Sequence, residues 1–314
     1  MNNNDSKIAR LSSSLMERWI ERASPAGEDG KLLVVKYHRV QSTLSLGKRL
    51  ITEFETQMKL VSRMFNVLTI AEAAKRIKEN SLPARALSIT FDDGYADNYD
   101  LALPVLERHG LKATFFVTSG LLDQSGMWSD QIASILVSAD KTRAAEIRDY
   151  LVDAGVPPRL PDLVNELKYM SVDAQETIVS GLSKFGDAVH ESSKLMNADQ
   201  LRSLVKKGME VGGHTVNHKI LNSLEDDQAR HEIKSCKAQL ESIIDAPVES
   251  FAYPNGRRNQ DYTDREVSFV REAGFKAAVS TEYGLARSGT DTFELPRISA
   301  EYFVRPLRLC RVYL

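Results

Sequence analysis

Two adjacent carboxylates, Asp92 and Asp93, are the first residues of the sequence that could carry out chemistry. They follow the strand-like run Ala86–Phe91, and Gly94 then permits a sharp turn. Neighbouring side chains at a strand end project differently, so one carboxylate could bind a metal ion while the other faces a substrate. Taken alone, the same triplet is also typical of a turn followed by a helix cap.

Two histidines, His214 and His218, form the second candidate group. They follow another strand-like run and the glycine pair 212–213. Four residues of spacing would put both imidazoles on one side of a helical turn, close enough to share one cation. Two histidines and a carboxylate with open positions describe a catalytic metal site. This donor set suits zinc, and iron, cobalt or manganese remain compatible with it. A coincidental surface pair is the alternative.

A third segment, residues 251–256, also runs from a strand into turn chemistry. Pro254 and Gly256 restrict the backbone in a way that could direct N–H groups into a site and hold a developing oxyanion. The same Pro-Asn-Gly sequence is equally typical of a simple turn.

These three segments must be positioned by the elements before them, and strands alternate with helices along most of the chain. The predicted strands cover residues 32–35, 86–91, 113–117, 209–211, 250–253 and 276–279. Intervening helices of ten or more residues imply parallel pairing through right-handed crossovers. Since the carboxyl ends of parallel strands form one functional face, the candidate residues should meet there. We expect an α/β sheet that closes into a barrel.

Two regions depart from this alternation. Residues 1–30 are predicted to form a helical appendage, and residues 31–314 the barrel. Within the barrel, residues 121–195 are predicted to form a helical insertion, because 141–154 and 173–185 have helical patterns with no clear strand between them. This insertion could be extra scaffold or a cap that grips a substrate.

Taken together, the three segments resemble the polysaccharide deacetylases of carbohydrate esterase family 4. The matching stretches are Thr-Phe-Asp-Asp-Gly at 90–94, His-Thr-Val-Asn-His at 214–218 and, more loosely, Phe-Ala-Tyr-Pro-Asn-Gly at 251–256. The resemblance implies a distorted (β/α)7 barrel with a helical insertion. It also implies a hydrolase that uses a divalent metal, with zinc expected, to remove the N-acetyl group from an amino sugar, polysaccharide or glycan precursor and release acetate.

The resemblance also implies roles for individual residues. Asp93, His214 and His218 would bind the metal, and Asp92 would be the general base. The backbone N–H of Asn255 would stabilise the oxyanion, and Tyr253 is expected in the same oxyanion and substrate-binding part of the site.

The sequence departs from the family pattern in the third segment. Ala252 stands where the family has the arginine that orients the catalytic base, and Asn255 stands where it has a tyrosine. Arg297 is predicted to replace the missing guanidinium. A surface salt bridge is the alternative interpretation of Arg297.

The family's C-terminal Leu-Xaa-His segment is also missing, because no histidine follows His231. A general acid is still needed to protonate the leaving amine. His38 ends the first predicted strand and should reach the same face as the metal ligands, so we predict that it is this acid. A structural histidine is the alternative.

Other chemically capable residues receive weaker predictions. Trp128 opens the insertion and could stack on a sugar ring or pack in a core. His109, His190 and His231 are predicted to be structural, and the two cysteines, Cys236 and Cys310, are expected to be free thiols or one optional bridge.

Composition sets the broad class of the molecule. The 314 residues are 42% hydrophobic and 27% charged, which excludes a wholly disordered, collagen-like or membrane-spanning chain. A net charge of -2 supplies no basic field for nucleic acid. The polar N-terminal stretch lacks the apolar run of a secretory signal, so we expect a cytoplasmic protein without an integral membrane segment. Transient contact with a lipid-linked substrate stays open.

Two rival functions remain at this point. The same site chemistry could hydrolyse a small cyclic amide on the same fold. The chain could also be a carbohydrate-binding protein whose catalytic site has decayed, although retention of Asp92 argues against this because binding alone would not need that carboxylate.

Overall fold

The structure is a computed structural model that describes residues 16–40, 47–186, 193–300 and 312–313. Helix α1 occupies residues 16–23. Its Ile20 is buried in the main core, and its Trp19 meets Tyr313 edge to face with ring centroids 6.4 Å apart. These contacts attach the helix to the body of the protein. The predicted division into residues 1–30, 31–314 and an insertion stays a prediction.

One sheet organises the described part of the chain. Its strands are β1 Lys31–Tyr37, β2 Asn66–Val67, β3 Ala86–Phe91, β4 Thr114–Val117, β5 Glu210–Gly213, β6 Ser250–Ala252, β7 Ala277–Val279, β8 Ala286–Arg287 and β9 Ile298–Ser299. They follow the order β7-β6-β5-β4-β3-β1, and every pairing along this path is parallel. Strand β2 pairs with the start of β3, and β8 lies antiparallel to the start of β1.

Helices connect these strands. They are α2 Gly47–Met64, α3 Ile70–Lys78, α4 Leu103–Arg108, α5 Trp128–Ser138, α6 Lys141–Asp153, α7 Leu163–Lys168, α8 Val172–Leu182, α9 Ala198–Lys206, α10 Asp226–Ile244 and α11 Asp264–Glu272. None of these helices is long and apolar enough to cross a bilayer.

A short segment closes the sheet into a barrel. Leu295 forms a parallel bridge with Val279 of β7, and three residues later β9 pairs in parallel with β1, where Ile298 lies opposite Val35. The predicted (β/α)7 barrel is therefore confirmed. This closing strand was missing from the predicted strands, because β9 has only two residues and Pro296 precedes it, and proline ordinarily argues against a strand.

Side-chain alternation separates the barrel interior from the outer core. In β1, Leu32 and Val34 belong to an inner apolar cluster, while Leu33 and Val35 pack in the larger outer cluster under the helices. Helix α3 contributes to the inner cluster and covers the amino end of the barrel. The opposite, carboxyl end of the strands is left for polar side chains.

The region between β4 and α9 is helical, with its own apolar cluster. Ile132, Ile147, Leu151 and Leu167 are buried in this cluster, which joins α5, α6, α7 and α8. The sequence pattern missed α5 and α7, because α7 is only six residues long and α5 follows a run of turn-forming residues.

Of the two cysteines, the structure describes Cys236, which is a free thiol. Cys236 is buried and free, and burial raises its pKa to about 11, so its thiol stays protonated at neutral pH. Cys310 lies outside the described residues.

Candidate active site

A cavity of about 360 Å³ opens at the carboxyl ends of the strands. Its size falls within the range of small-molecule sites, about 300–1,000 Å³. The sequence-predicted residues that line it are His38, Asp92, Asp93, Trp128, His214, His218 and Asn255. The end of the barrel that the strand pattern marked as functional therefore contains most of the candidate residues.

Three metal-type donors converge in this cavity. Asp93 Oδ1 lies 3.4 Å from His214 Nε2 and 3.3 Å from His218 Nε2, and donor atoms of the three residues all lie within 4.8 Å of one another. His214 Nδ1 lies 2.7 Å from the carbonyl oxygen of Ala252, so a proton on Nδ1 leaves the Nε2 lone pair directed at the cluster. This arrangement fits a divalent metal ion.

The backbone after β3 turns abruptly to present the two carboxylates. Asp93 has φ +77° and Gly94 has φ +86°, a left-handed pair that directs consecutive side chains to different partners. Burial opposes ionisation of Asp93, but hydrogen bonds from His214 and His218 outweigh it and hold the pKa of Asp93 well below its usual range.

The two histidines are not on a helical turn, which corrects the prediction. Residues 214–218 form a loop with φ +65° at Thr215 and +55° at His218. Glu232 of α10 organises it, because one carboxylate oxygen accepts hydrogen bonds from the backbone N–H groups of Val216 and Asn217, both at 2.8 Å. A buried carboxylate from a distant helix therefore brings the imidazoles together.

Asp92 is held by Arg297 through two parallel hydrogen bonds. Arg297 Nη1 donates to Asp92 Oδ1 at 2.6 Å and Nη2 to Oδ2 at 2.8 Å. A third bond, from Nε to the carbonyl oxygen of Ser280 at 2.7 Å, fixes the guanidinium. Both residues are only 2% exposed, so the surface salt-bridge interpretation is wrong. Burial alone would raise the pKa of Asp92, but the arginine outweighs it and lowers this pKa to about 2.

His38 follows β1 and faces the same cavity. The Asn98 side chain donates a 2.9 Å hydrogen bond to the carbonyl oxygen of His38 and so fixes the backbone at this strand end. The residue is exposed to the open cavity, although protein atoms crowd its imidazole on the other sides. This desolvation lowers the pKa of His38, while Asp93 and Asp92 act in the opposite direction.

Asn255 lies in a tight turn at the rim of the cavity. Asn255 and Gly256 have φ +57° and +72°, and the Thr281 hydroxyl donates to the Asn255 carbonyl at 2.7 Å. The Thr281 backbone N–H donates to the Gly256 carbonyl at 2.8 Å. These bonds fix the carbonyl groups of Asn255 and Gly256 within the turn.

Tyr253 does not line the cavity, which corrects its prediction as an oxyanion or substrate-binding residue. Strand alternation carries Ala252 into the barrel and Tyr253 into the outer core. The tyrosine is 1% exposed, stacks on Tyr262 at 4.0 Å and donates to the Phe293 carbonyl. Its hydroxyl is therefore already used for structure.

The remaining predicted residues divide between cavity and scaffold. Trp128 lines the cavity and also packs against the apolar cluster that joins α5, α6, α7 and α8, so both of its predicted roles fit its position. His109 caps the end of α4, and His231 lies on α10 beside Ser235. His190 lies outside the described residues.

Several cavity residues were not predicted from the sequence. They include the cationic side chains of Lys36, Lys168, Lys219 and Arg257. Alternation along β1 could have found the first of these, because Lys36 lies on the same face as Leu32, Val34 and His38. The others come from loops and helices whose position against the barrel no local pattern revealed.

Comparison with known proteins gives consistent matches. A family model described as polysaccharide deacetylase matches residues 79–278. Protein YxkH of Bacillus subtilis (strain 168), whose name places it among the polysaccharide deacetylases, is 24% identical over 284 residues, which cover 89% of this chain and 74% of that protein. The poly-β-1,6-N-acetyl-D-glucosamine N-deacetylase of Staphylococcus aureus (strain MSSA476) is 26% identical over 215 residues, covering 59% of this chain and 72% of that enzyme.

Solved structures give the same fold. The Streptococcus pyogenes deacetylase PplD, determined in complex with acetate, superposes with a TM-score of 0.61 at 20% identity. The match covers 90% of this chain and 98% of that chain.

Proposed function

Because the chain belongs to the polysaccharide deacetylase family and is a hydrolase of carbon–nitrogen bonds other than peptide bonds, we propose that it removes the N-acetyl group from an amino sugar of a glycan or glycan precursor and releases acetate. One observation carries this proposal. A cluster of three metal-type donors shares a cavity with a carboxylate that a buried arginine keeps ionised.

Asp93, His214 and His218 would hold a divalent metal, and their two nitrogens and one carboxylate favour zinc. Such an ion would polarise the acetamide carbonyl and lower the pKa of the attacking water. The chain's own contribution is orientation, since the Ala252 carbonyl fixes the His214 ring and Glu232 fixes the loop between the histidines.

Asp92 is the general base in this proposal. Its pKa of about 2 keeps it ionised at neutral pH, so it can accept the proton of the attacking water. Arg297 acts as a positioning residue, because its fork holds both carboxylate oxygens and restricts rotation of the base.

The reaction also needs a group that stabilises the oxyanion of the tetrahedral intermediate and a group that protonates the leaving amine. We assign the oxyanion of the tetrahedral intermediate to the backbone N–H of Asn255, which lies at the cavity rim. We assign the proton needed by the leaving amine to His38, whose position at the end of β1 opens on the same cavity.

Acetate release from β-1,4- and β-1,6-linked N-acetylglucosamine oligomers tests the function. The Staphylococcus aureus relative is named for the β-1,6-linked polymer, which motivates including that linkage. We expect release that stops with a chelator and returns with zinc. Turnover of small cyclic amides without acetate release would favour the cyclic-amide hydrolase, and binding of the oligomers without turnover of either compound would favour a carbohydrate-binding protein.

A further inference from the structure

Positive charge surrounds the cavity in excess of what the proposed reaction uses. Among the described residues that line it, four are lysine or arginine, and they come from four separate segments: Lys36, Lys168, Lys219 and Arg257. The acidic residues on the same wall are Asp92 and Asp93. Since the whole chain carries a net charge of -2, this excess is local to the cavity.

The two acidic groups are already committed to other partners. Asp92 is bound at both oxygens by Arg297, and Asp93 faces the two imidazoles of the proposed metal site. Lys219 is likewise paired, because its ammonium lies 3.0 Å from Glu176. The surplus charge therefore resides on the other cations.

Lys36 and Lys168 are the two cavity lysines without a carboxylate in ion-pair distance among the residues that the structure describes. Lys36 extends from the inward face of β1, and Lys168 ends α7 in the helical insertion. Both are half-buried. Burial lowers the pKa of Lys36 most, and Arg297 and Lys168 add to this lowering, whereas Asp92 and Asp93 oppose it. The two ammonium groups thus share one cavity, and neither forms an ion pair with a described carboxylate.

Half-burying two ammonium groups that form no ion pair is unfavourable for the free protein. A bound carboxylate or phosphate would accept charge-assisted hydrogen bonds from both lysines and offset this cost. A neutral acetamido sugar offers only hydroxyl, ring and amide groups, which would offset less of it. The lysines consequently favour a substrate with its own negative charge.

We propose that the preferred substrate is an acetamido sugar that carries an anionic group, either a carboxylate or a phosphate, and that Lys36 and Lys168 bind this group. The inference rests on the proposed function, because it places the acetamide of the same sugar at Asp92 and the metal-type donors. It also gives the insertion a part in substrate selection through Lys168.

The test compares three sugars that share one acetamide. N-acetylmuramic acid carries a carboxylate, N-acetylglucosamine 1-phosphate carries a phosphate, and methyl N-acetylglucosaminide is neutral. Binding of each is measured by calorimetry on the metal-free full chain, which prevents direct coordination of the anion to zinc. Acetate release is measured separately on the zinc-loaded protein.

The variants are Lys36→Gln and Lys168→Gln, with Lys141→Gln as the matched control. Lys141 is an exposed lysine of the same insertion and does not line the cavity. We expect each cavity variant to weaken binding of an anionic sugar by roughly tenfold more than binding of the neutral sugar, as for hydrogen bonds to charged groups. Lys141→Gln should change neither, and added salt should weaken the anionic sugars selectively.

Equal binding of neutral and anionic sugars by the unmodified protein would overturn the inference, as would equal losses for both classes in Lys168→Gln. Acetate release from the oligomers would in that case leave the proposed function standing. Lysine-dependent preference for an anionic sugar without acetate release from any compound would instead support the anion site and remove the proposed function. A preference between carboxylate and phosphate identifies the source of the charge.

Discussion

The two ends of the barrel hold carboxyl groups in opposite electrostatic states. At the carboxyl end, Arg297 lowers the pKa of Asp92 to about 2 despite its burial. At the amino end, β5 begins with Glu210, whose pKa is raised by desolvation even though the Ser250 and Thr114 hydroxyls donate to its two oxygens at 2.6 and 2.7 Å. Hydrogen bonds from neutral hydroxyl groups reduce the rise in carboxyl pKa that burial causes, whereas a fixed cation turns that rise into a lowering.

The contrast even occurs within one strand. Glu210, Gly212 and His214 lie on the same inward face of β5 and its extension, and a Cβ at Gly212 would meet the Phe116 ring at 2.5 Å. The barrel interior between Glu210 and His214 is therefore filled by apolar packing. Charge is concentrated where the cavity opens and helix α3 does not cover the strands.

The largest expected effect comes from Asp92→Asn, which removes the proposed base while retaining its shape. Turnover should fall by roughly 10³-fold, within the range of general acid–base catalysis. Zinc content should be unchanged, because Asp92 is not among the three clustered donors. Kinetics of acetate release together with metal analysis check both statements. Turnover within tenfold of the unmodified protein would contradict the assignment of the base.

His38→Gln tests the second proton-transfer group at the open end of the barrel. Loss of the donor to the leaving amine should lower turnover by about 10²-fold with metal content intact. His109→Gln is the matched control, since His109 ends α4 away from the cavity and should leave turnover within a factor of two. Near-normal turnover of His38→Gln would show that another group protonates the amine.

Substitutions of Arg297 test whether a fixed cation causes the difference in carboxyl pKa between the two ends of the barrel. Arg297→Met removes the largest of the interactions that oppose the effect of burial on Asp92, so the pKa of Asp92 should rise and the acidic limb of kcat/KM should move to higher pH. Arg297→Lys keeps the charge but cannot form the fork, and should lower turnover by about tenfold with a smaller shift of the limb. Identical limbs in all three proteins would refute this account.

The same pair should make stability depend on pH. The pKa of Asp92 is about 2 in the folded protein against an ordinary value of 3.8, so the pair contributes stability above about pH 4. This contribution is lost as pH falls toward 2. Urea unfolding of Arg297→Lys between pH 3 and 6 should show a shallower loss on acidification than the unmodified protein.

Glu232→Gln addresses how the metal-type donors are held. In the unmodified protein, the Asn217 side-chain nitrogen donates to the second oxygen of Glu232. The glutamine amide keeps one oxygen as acceptor for the N–H groups of Val216 and Asn217, but it places its own NH₂ group opposite the Asn217 side-chain nitrogen, so that this hydrogen bond is lost. Zinc affinity should fall by roughly tenfold, as for other residues that orient ligands. Glu241→Gln on the same helix is the control, because Glu241 contacts Val248 and Lys237 instead. Unchanged affinity in Glu232→Gln would refute the orienting role.

The sequence predicted the parts of this molecule that depend on local pattern. β3 runs from Ala86 to Phe91 as expected, and Asp92, Asp93, His214 and His218 meet at the predicted end of the barrel. The loop conformation at His218 was not predictable, because it depends on Glu232, fourteen residues farther along the chain. Strand β9 escaped notice because two residues and a nearby proline give no periodic pattern.

Strand alternation, applied more strictly, would have corrected one assignment and found one missed residue. Continued past β6, it places Tyr253 in the outer core and not in the site, and it places Lys36 on the inner face of β1. The pairing of Arg297 with Asp92 needed both the resemblance, which left a guanidinium to be found, and the barrel closure, which brings residue 297 back to β3.

Glu210→Gln should have the smallest effect, and it decides whether the amino end is purely structural. Because the folded pKa of Glu210 is raised above its ordinary 4.5, its contribution to stability is fully present below about pH 4.5 and is lost as pH rises through the folded value. A neutral glutamine cannot lose this contribution, so the variant should show a flatter dependence of unfolding free energy on pH above 5. Acetate release should stay within a factor of two, since Glu210 lies at the end of β5 away from the cavity. A large loss of turnover would mean that the two ends are coupled through the barrel, and the contrast between a structural and a catalytic carboxyl would fail.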